Sequence, residues 1–541
     1  MSLVMALALA LSFNVTAVTS YAVNVKADIR TIADIPADLT GKTVILHSND
    51  VHGAIGCYAY IASVKDNLQK RGAEVILVDA GDFSQGTPYV STTKGVDAIS
   101  VMNAAGYNIA TLGNHEFDYG IPQLRANLAT AKFTAICADI TDKEGNTILQ
   151  GNTVYTTKSG LRIGFFGMGT PETQTKVNPV LVRGLVFPDK AKLYTIGQQQ
   201  IDELKANGAD LVIGLTHLGV NDESEGYRSQ DLYAHTKGAD LFIDGHSHTV
   251  MTAGPKNEPI QSTGTKFQNI GVVIIDDAGK AIEDRFLITT EGLQKEVISD
   301  AVATAIIKRV DREYGASFAK SEVDLNGERD PGNRTEETNL GDLVCDAIKY
   351  SVLSAGSISV DDAHVVAITN GGGIRASIKA GDVTKKDINA VLPFGNTVSV
   401  AYITGAQLLE VLEASTFAAP TAIGGYPQTS GIKFTINTTK PYSKGALYPE
   451  STYYKPASIN RVTIESINGQ PFSLTDTYAV VTNNFCTAGG DTYYVLTDAT
   501  SVFDTGITLD EAVMDYVKNE LHGVIPASKY AQPDGEQTII K

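Results

Sequence analysis

Residues 109–120 read Ile-Ala-Thr-Leu-Gly-Asn-His-Glu-Phe-Asp-Tyr-Gly. A short apolar run stops at Leu112, and Asn114, His115, Glu116 and Asp118 follow within six residues. An amide, an imidazole and two carboxylates at the mouth of a strand are a candidate for chemistry. Taken alone, the same residues would serve a polar loop that caps a helix. The neighbouring apolar runs decide between the two readings.

From Thr43 to about Leu287, short apolar runs alternate with segments whose apolar residues recur at helical spacing, the pattern of a layered α/β domain. The runs are Thr43–Leu46, Val75–Val78, Ile109–Leu112, Phe133–Cys137, Leu161–Phe166, Leu211–Leu215 and Leu241–Ile243, with helices expected over Ile61–Leu68, Ala98–Ala105 and Leu193–Leu204. Five runs release polar residues: HSNDVHG after Leu46, DAGDFSQG after Val78, GNHEFD after Leu112, THLG after Leu215 and DGHSHT after Ile243. Open α/β sheets bind ligands beyond the carboxyl ends of their strands, so these loops are expected to converge on one crevice.

The converging candidates are Asp50, His52, Asp82, Asn114, His217, His246 and His248. One such histidine is more often a hydrogen-bonded structural residue; the whole set at strand ends points to metal. Mixed imidazole, carboxylate and amide donors suit zinc, manganese or iron. Seven ligands exceed one tetrahedral ion and suit two divalent ions sharing a carboxylate, ~3.5–4 Å apart in two-metal hydrolases. Asp82, after Gly81, is the best bridge. His47 is expected to support the ligands from behind, and His235, His364 and His522 to lie at the surface.

The remaining composition bounds the rest. At 541 residues the chain exceeds one core. A net charge of −18 argues against a nucleic-acid duplex as partner. Cys57, Cys137, Cys345 and Cys486 have no metal or disulfide spacing and read as small apolar residues. Residues 2–13, SLVMALALALSF, followed by Ser20-Tyr21-Ala22, read as a secretory signal over 1–22 without a basic start, a buried N-terminal helix being the alternative. No later segment is long and apolar enough for a membrane span.

Domains are expected at 42–290 and 320–541, joined by a linker helix within 291–319 whose periodicity runs from Glu291 to Tyr314, with Gly315 after its end. In the second domain a helix is expected over Leu340–Val352 and strands at Val365–Ile368, Val398–Tyr402, Gly431–Ile436 and Tyr478–Thr482. Asn370-Gly-Gly-Gly-Ile-Arg375 allows close backbone approach to a ligand, and Arg334 and Arg375 are candidate anion clamps. A tight turn and solvated arginines are the plainer readings. Phe485, in FCTAGGD, is either a stacking platform or a core residue.

HSNDVHG, GDFSQG, GNHEFD, THLG and GHSH, in this order, resemble the calcineurin-like metallophosphoesterases. The chain is most similar to the secreted 5'-nucleotidase / UDP-sugar hydrolase / 2',3'-cyclic nucleotide phosphodiesterase family, whose C-terminal domain carries similar NGGGIR, LPFGN and GGD motifs. The resemblance implies an N-terminal metallophosphoesterase domain of layered sheets flanked by helices and a smaller C-terminal α/β substrate-binding domain. It implies one ion on Asp50, His52, Asp82 and His248 and another on Asp82, Asn114, His217 and His246, although some members have Gln or Asn where this chain has His248. It implies a His115–Asp118 catalytic dyad beside an activated water, with Glu116 as scaffold. Arg334, Asn370 and Arg375, with the turn glycines Gly372 and Gly373, fall to phosphate or ribose, Phe485 to base stacking and Asp491 to the ribose hydroxyls. For the second wall of the base clamp, Val398 or Thr429 stand where relatives place a stacking Phe, and Tyr426 is the expected substitute.

The expected activity is that of a secreted, extracellular or periplasmic phosphohydrolase acting on small nucleotides, with domain rotation delivering substrate to two divalent ions, zinc, manganese or similar. An alternative is a 2',3'-cyclic nucleotide 2'-phosphodiesterase/3'-nucleotidase; Asp118, where those relatives often have Asn, leans away from it. A third is a catalytically silent nucleotide-binding surface protein, which would be expected to have lost ligands.

Overall fold

A computed structural model describes residues 25–356 and 358–541; the leader expected over 1–22 lies outside the described residues. The N-terminal half is a four-layer α/β sandwich. One sheet has seven strands, in the order Ile29–Arg30, Ala281–Thr289, Asn269–Asp276, Lys42–Ser48, Glu74–Asp79, Ile109–Thr111 and Thr134–Ile136. The other has six and is built around Arg162–Met168, Leu211–Thr216 and Leu241–Asp244. Both sheets are buried on two faces, which is why their strands read as continuous apolar runs rather than alternating ones. Ile45, Ile76, Val78, Phe165, Ile213, Leu215 and Ile243 form the core between the sheets. Helices Tyr58–Lys70 and Val96–Ala105 cover one outer face and Lys190–Ala206 the other.

Parallel pairing sets the site. Ser48 lies beside Asp79 and Asp79 beside Ala110, while in the second sheet Met168 lies beside Thr216 and Thr216 beside Asp244. Strands aligned to the same ending register put all their following loops on one edge.

The expected linker helix starts later than its periodicity suggested. It runs from Val297 to Tyr314, because the Glu296 carboxylate accepts from the amides of Ile298 and Ser299 and caps it there, and Gly315 is its C-cap. Its Ala303, Ile306 and Val310 face is buried in the core of the N-terminal layers.

The C-terminal half centres on a five-stranded sheet, in the order Pro427–Ser430, Val365–Asn370, Thr477–Asn483, Thr397–Thr404 and Ser501–Thr508. Helices Asn339–Ala355 and Leu509–Asn519 cover one face, and Gly405–Ser415 covers the other. The four cysteines are free, three of them buried. No helix among the described residues is long and apolar enough to cross a membrane.

Candidate active site

The loops that leave the parallel strands are tied to one another by their backbones. The Asp50 amide donates to the Gly81 carbonyl (2.9 Å), that of His52 to Asp82 O (3.0 Å) and that of Ala80 to Ser48 O (2.9 Å). At Gly81, a Cβ would sit 2.4 Å from the Gly113 nitrogen, so the second and third loops touch only because there is none. Asp50, His52, Asp82, His246 and His248 all have positive φ, between 45° and 74°. Left-handed backbone in five non-glycine residues of one cluster is held against its intrinsic cost, as at functional sites.

Glu116 is the fastener, as the sequence led us to expect. Its buried carboxylate accepts from the amides of Asp82 (2.8 Å), Phe83 (3.0 Å), Ser84 (3.1 Å) and Gly113 (2.7 Å) and from the Ser84 hydroxyl (3.0 Å).

Around this frame the seven candidate ligands come together. Asp82 lies in the middle: its Oδ1 accepts from the His115 amide (2.9 Å), and its Oδ2 is 3.2 Å from His217 Nε2 and 3.8 Å from His52 Nε2. On one side, His52 and His248 meet Nε2 to Nε2 at 3.0 Å, with Asp50 Oδ1 at 3.9 and 3.5 Å. Burial drives both rings well below the ordinary imidazole value, the direction that favours the uncharged ring. On the other side, His246 Nδ1 lies 2.9 Å from Asn114 Oδ1.

The donor set fits metal. His217 Nδ1 donates to the Ala80 carbonyl at 2.6 Å, which aims a buried Nε2 with no hydrogen-bond partner at the Asp82 and Asp50 carboxylates. Burial opposes charge on this ring, yet Asp82 and Asp50 outweigh it and hold His217 protonated up to about 10. Burial likewise raises Asp50. A pocket that retains a proton so strongly is arranged to hold positive charge between carboxylates. Asp50, His52 and His248, and separately Asp50, Asp82 and His217, offer ligand atoms within 4.8 Å of one another.

His115 and Asp118 stand beside this cluster, joined by a 2.7 Å Nδ1 to Oδ2 bond. Burial would lower the imidazole, but Asp118 and Asp82 outweigh it and raise it. His47 plays no part: its side chain lies between the sheets against Gly271, and burial pushes it down to about 3. His235 and His522 are exposed and His364 is half-buried.

The cluster opens into a cleft between the two halves, lined across from it by Arg329, Arg334, Arg375, Asn370, Gly372, Gly373, Phe394, Phe485 and Asp491. None of the three guanidinium groups has a carboxylate partner at ion-pair distance among the described residues, and Arg375 makes one bond, to the Gly372 carbonyl (3.4 Å). Burial lowers all three, and Arg334 is lowered further by Arg329 and Arg375. Three desolvated cations that repel one another suit a bound anion. Asp491 is buried, with Oδ2 accepting from Asn370 Nδ2 at 3.0 Å and Oδ1 3.6 Å from the Lys176 ammonium, without a hydrogen bond of its own.

The structure corrects one site residue. Tyr426 does not reach the cleft; it is fully buried beside Ile368 and Phe434, with its hydroxyl donating to Gln537 Oε1 at 2.9 Å. Gly424, two residues earlier, supplies the cleft wall there. Val398 and Thr429 are buried as well. The second aromatic in the cleft is Phe394 of LPFGN, stacked on His115 at 5.6 Å with 27° between the planes, and 5.7 Å below the Arg375 guanidinium.

Arg329, Phe394 and Glu172 went unremarked in the sequence. Arg329 shares a polar stretch with Arg334, and Glu172 follows Arg162–Met168, a strand end to which the rule used for the other five applies equally.

Comparison with known proteins agrees with this arrangement. Residues 43–250 match the calcineurin-like phosphoesterase family and residues 317–498 the 5'-nucleotidase C-terminal domain, in the order the two halves occupy here. The chain belongs to the 5'-nucleotidase family of calcineurin-like phosphoesterases. It is therefore a hydrolase of phosphate esters. It is similar to the snake venom 5'-nucleotidase of Naja atra, at 28% identity over 90% of this chain and 97% of that one. The 5'-nucleotidase of Vibrio parahaemolyticus matches at 27% identity over 92% of each. The trifunctional nucleotide phosphoesterase YfkN of Bacillus subtilis matches at 28% over 91% of this chain, which spans only 35% of that protein. Among solved structures, a 5'-nucleotidase precursor from Thermus thermophilus aligns with a TM-score of 0.77 and 27% identity, over 92% of this chain and 99% of that one.

Proposed function

We propose that this protein is a secreted, extracellular or periplasmic nucleotidase of the 5'-nucleotidase type, using two divalent ions such as zinc or manganese. The observation that carries the reading is that three arginines without a carboxylate partner and two aromatics, Phe394 and Phe485, line the same cleft as the histidine–carboxylate cluster. That combination fits a phosphate ester that also carries a flat apolar group. Asp50, His52, Asp82 and His248 would hold one ion, and Asp82, Asn114, His217 and His246 the other. When bound, the ions would polarise the phosphoryl group and acidify the attacking water.

The chain's own residues do the rest. Arg329, Arg334 and Arg375 neutralise and orient the phosphate. Asp118 accepts the Nδ1–H bond of His115 and favours the charged ring, so that Nε2 also carries a proton toward a phosphoryl oxygen or the leaving group. Phe394 and Phe485 form the two walls for the base. Asp491 Oδ1, which makes no hydrogen bond and lies 3.6 Å from the Lys176 ammonium, accepts from a ribose hydroxyl.

A second reading, 2',3'-cyclic nucleotide phosphodiesterase with 3'-nucleotidase activity, is favoured by one observation: a relative matching 91% of the chain is a trifunctional nucleotide phosphoesterase. A panel of AMP, ATP, UDP-glucose and 2',3'-cyclic AMP, each with zinc, manganese and cobalt, separates the two. AMP is expected to be the best substrate. Preference for the cyclic ester would replace the first reading with the second, and inertness towards all four would reject both.

A further inference from the structure

Glu172 makes no direct contact with the cleft, yet it is buried, at 1% exposure, beside one of the candidate ligands. It sits in the loop after Arg162–Met168, whose end lies beside Thr216 and so on the same sheet edge as the histidine loops. One carboxylate oxygen, Oε2, accepts from His246 Nε2 at 2.8 Å and from the Ser224 hydroxyl at 2.9 Å. The backbone of Glu172 is fixed too: its carbonyl accepts from the amides of Thr175 (2.9 Å) and Lys176 (2.8 Å). The carboxylate is therefore a rigid acceptor aimed at one nitrogen of one ring.

We propose that Glu172 is a positioning residue for the second ion: by holding the Nε2–H of His246, it makes Nδ1, beside Asn114, the ligating nitrogen. The inference rests on the two-ion reading above. With Oε2 accepting at 2.8 Å, Nε2 carries the proton, and the ring's remaining lone pair for a metal is on Nδ1. That lone pair then faces Asn114 Oδ1, another acceptor, at 2.9 Å. Two acceptors so close need a cation to share. The backbone of His246 is held separately, its amide donating to both oxygens of Asp50 at 3.1 and 3.0 Å. Asp50 therefore places the residue, and Glu172 sets the direction its ring faces. Carboxylate–histidine pairs of this kind fix tautomer and raise ligand basicity. The other candidate histidines are steered differently: His217 gives its Nδ1 proton to a backbone carbonyl, and His52 Nδ1 has no partner. The device therefore acts on one ion position.

The test is metal affinity of the full chain, stripped by chelation and titrated with zinc or manganese against a chromophoric chelator, with bound metal counted by mass spectrometry. Wild type is expected to bind two ions per chain; if it binds fewer, the two-ion reading fails and takes this inference with it. Given two, Glu172→Ala is expected to weaken one ion by ~10–100-fold and leave the other within about threefold. Glu172→Gln, which keeps an acceptor for Nε2–H, should recover most of that loss. Long-range proton–nitrogen spectra of histidine-labelled, metal-loaded protein give a readout independent of affinity. His246, assigned with His246→Ala, should be protonated at Nε2 in wild type and lose that single state in Glu172→Ala. The inference is overturned if both ions bind Glu172→Ala with wild-type affinity and the His246 signal is unchanged. It is equally overturned if both ions weaken together and metal-free Glu172→Ala and Glu172→Gln melt early to the same extent, the mark of a purely structural residue.

Discussion

Replacing Phe485 and Phe394 in turn by Leu, and assaying each variant on AMP and on ribose 5-phosphate, separates base recognition from chemistry. Leu keeps apolar volume, which matters because Phe485 is only 6% exposed and truncation to Ala would open a cavity. A base stacked on an aromatic face contributes ~1–3 kcal/mol, and at about 1.4 kcal/mol per tenfold that is roughly 5–150-fold in KM. Phe485→Leu is therefore expected to raise KM for AMP by roughly tenfold or more and to leave ribose 5-phosphate, which has no base, within about twofold. Phe394 touches more: its ring stacks on His115 and lies beneath Arg375. An aromatic pair contributes ~0.5–1.5 kcal/mol and a cation–π contact ~0.5–2 kcal/mol. Phe394→Leu should thus lose the same stacking on AMP and, in addition, about tenfold in kcat/KM on ribose 5-phosphate. Steady-state phosphate release measures both. If Phe485→Leu impairs both substrates equally, or Phe394→Leu impairs neither, the two-walled clamp is refuted.

His115→Ala should lower kcat on AMP by ~10²–10⁴-fold with metal content unchanged by mass spectrometry; intact turnover would reject the dyad. Asp118→Asn removes the first of the carboxylates that raise His115, so the ring loses its proton at lower pH, and the alkaline limb of the kcat/KM profile should move to lower pH. A limb that stays put, or moves up, contradicts a protonated His115 in the reaction. Glu116→Ala strips the acceptor from four buried amides and a hydroxyl. The expected loss, on the order of 5 kcal/mol, should appear as a fall of roughly 10 °C or more in the metal-free melting temperature. A midpoint within about 2 °C of wild type would mean the loop frame is held elsewhere.

The metal-side geometry was legible because it follows from chain topology. Asp50, Asp82, Asn114, His217 and His246 each come just after an apolar run, and parallel strands in matched register must bring such residues to one edge. Glu172 obeys the same rule and was missed only because its loop carries no histidine. On the substrate side the reading was partial. Arg334, Asn370, Arg375, Phe485 and Asp491 line the cleft, whereas Tyr426 points into the core behind it. An aromatic beside glycines looks the same in sequence whether it faces ligand or core, because nothing local sets the side of the turn on which its Cβ lies.

By itself, then, the sequence determined the layered α/β architecture and the strand-end cluster of candidate ligands, since both depend on hydrophobic periodicity and strand polarity, which are local. The tertiary structure decided which long side chains from opposite halves meet across the cleft. Phe394 of the C-terminal half, with Arg375 over its ring, reaches His115 of the N-terminal half across roughly 280 residues of chain. Such contacts are fixed by how two separately built cores dock, and no spacing along the chain encodes that distance.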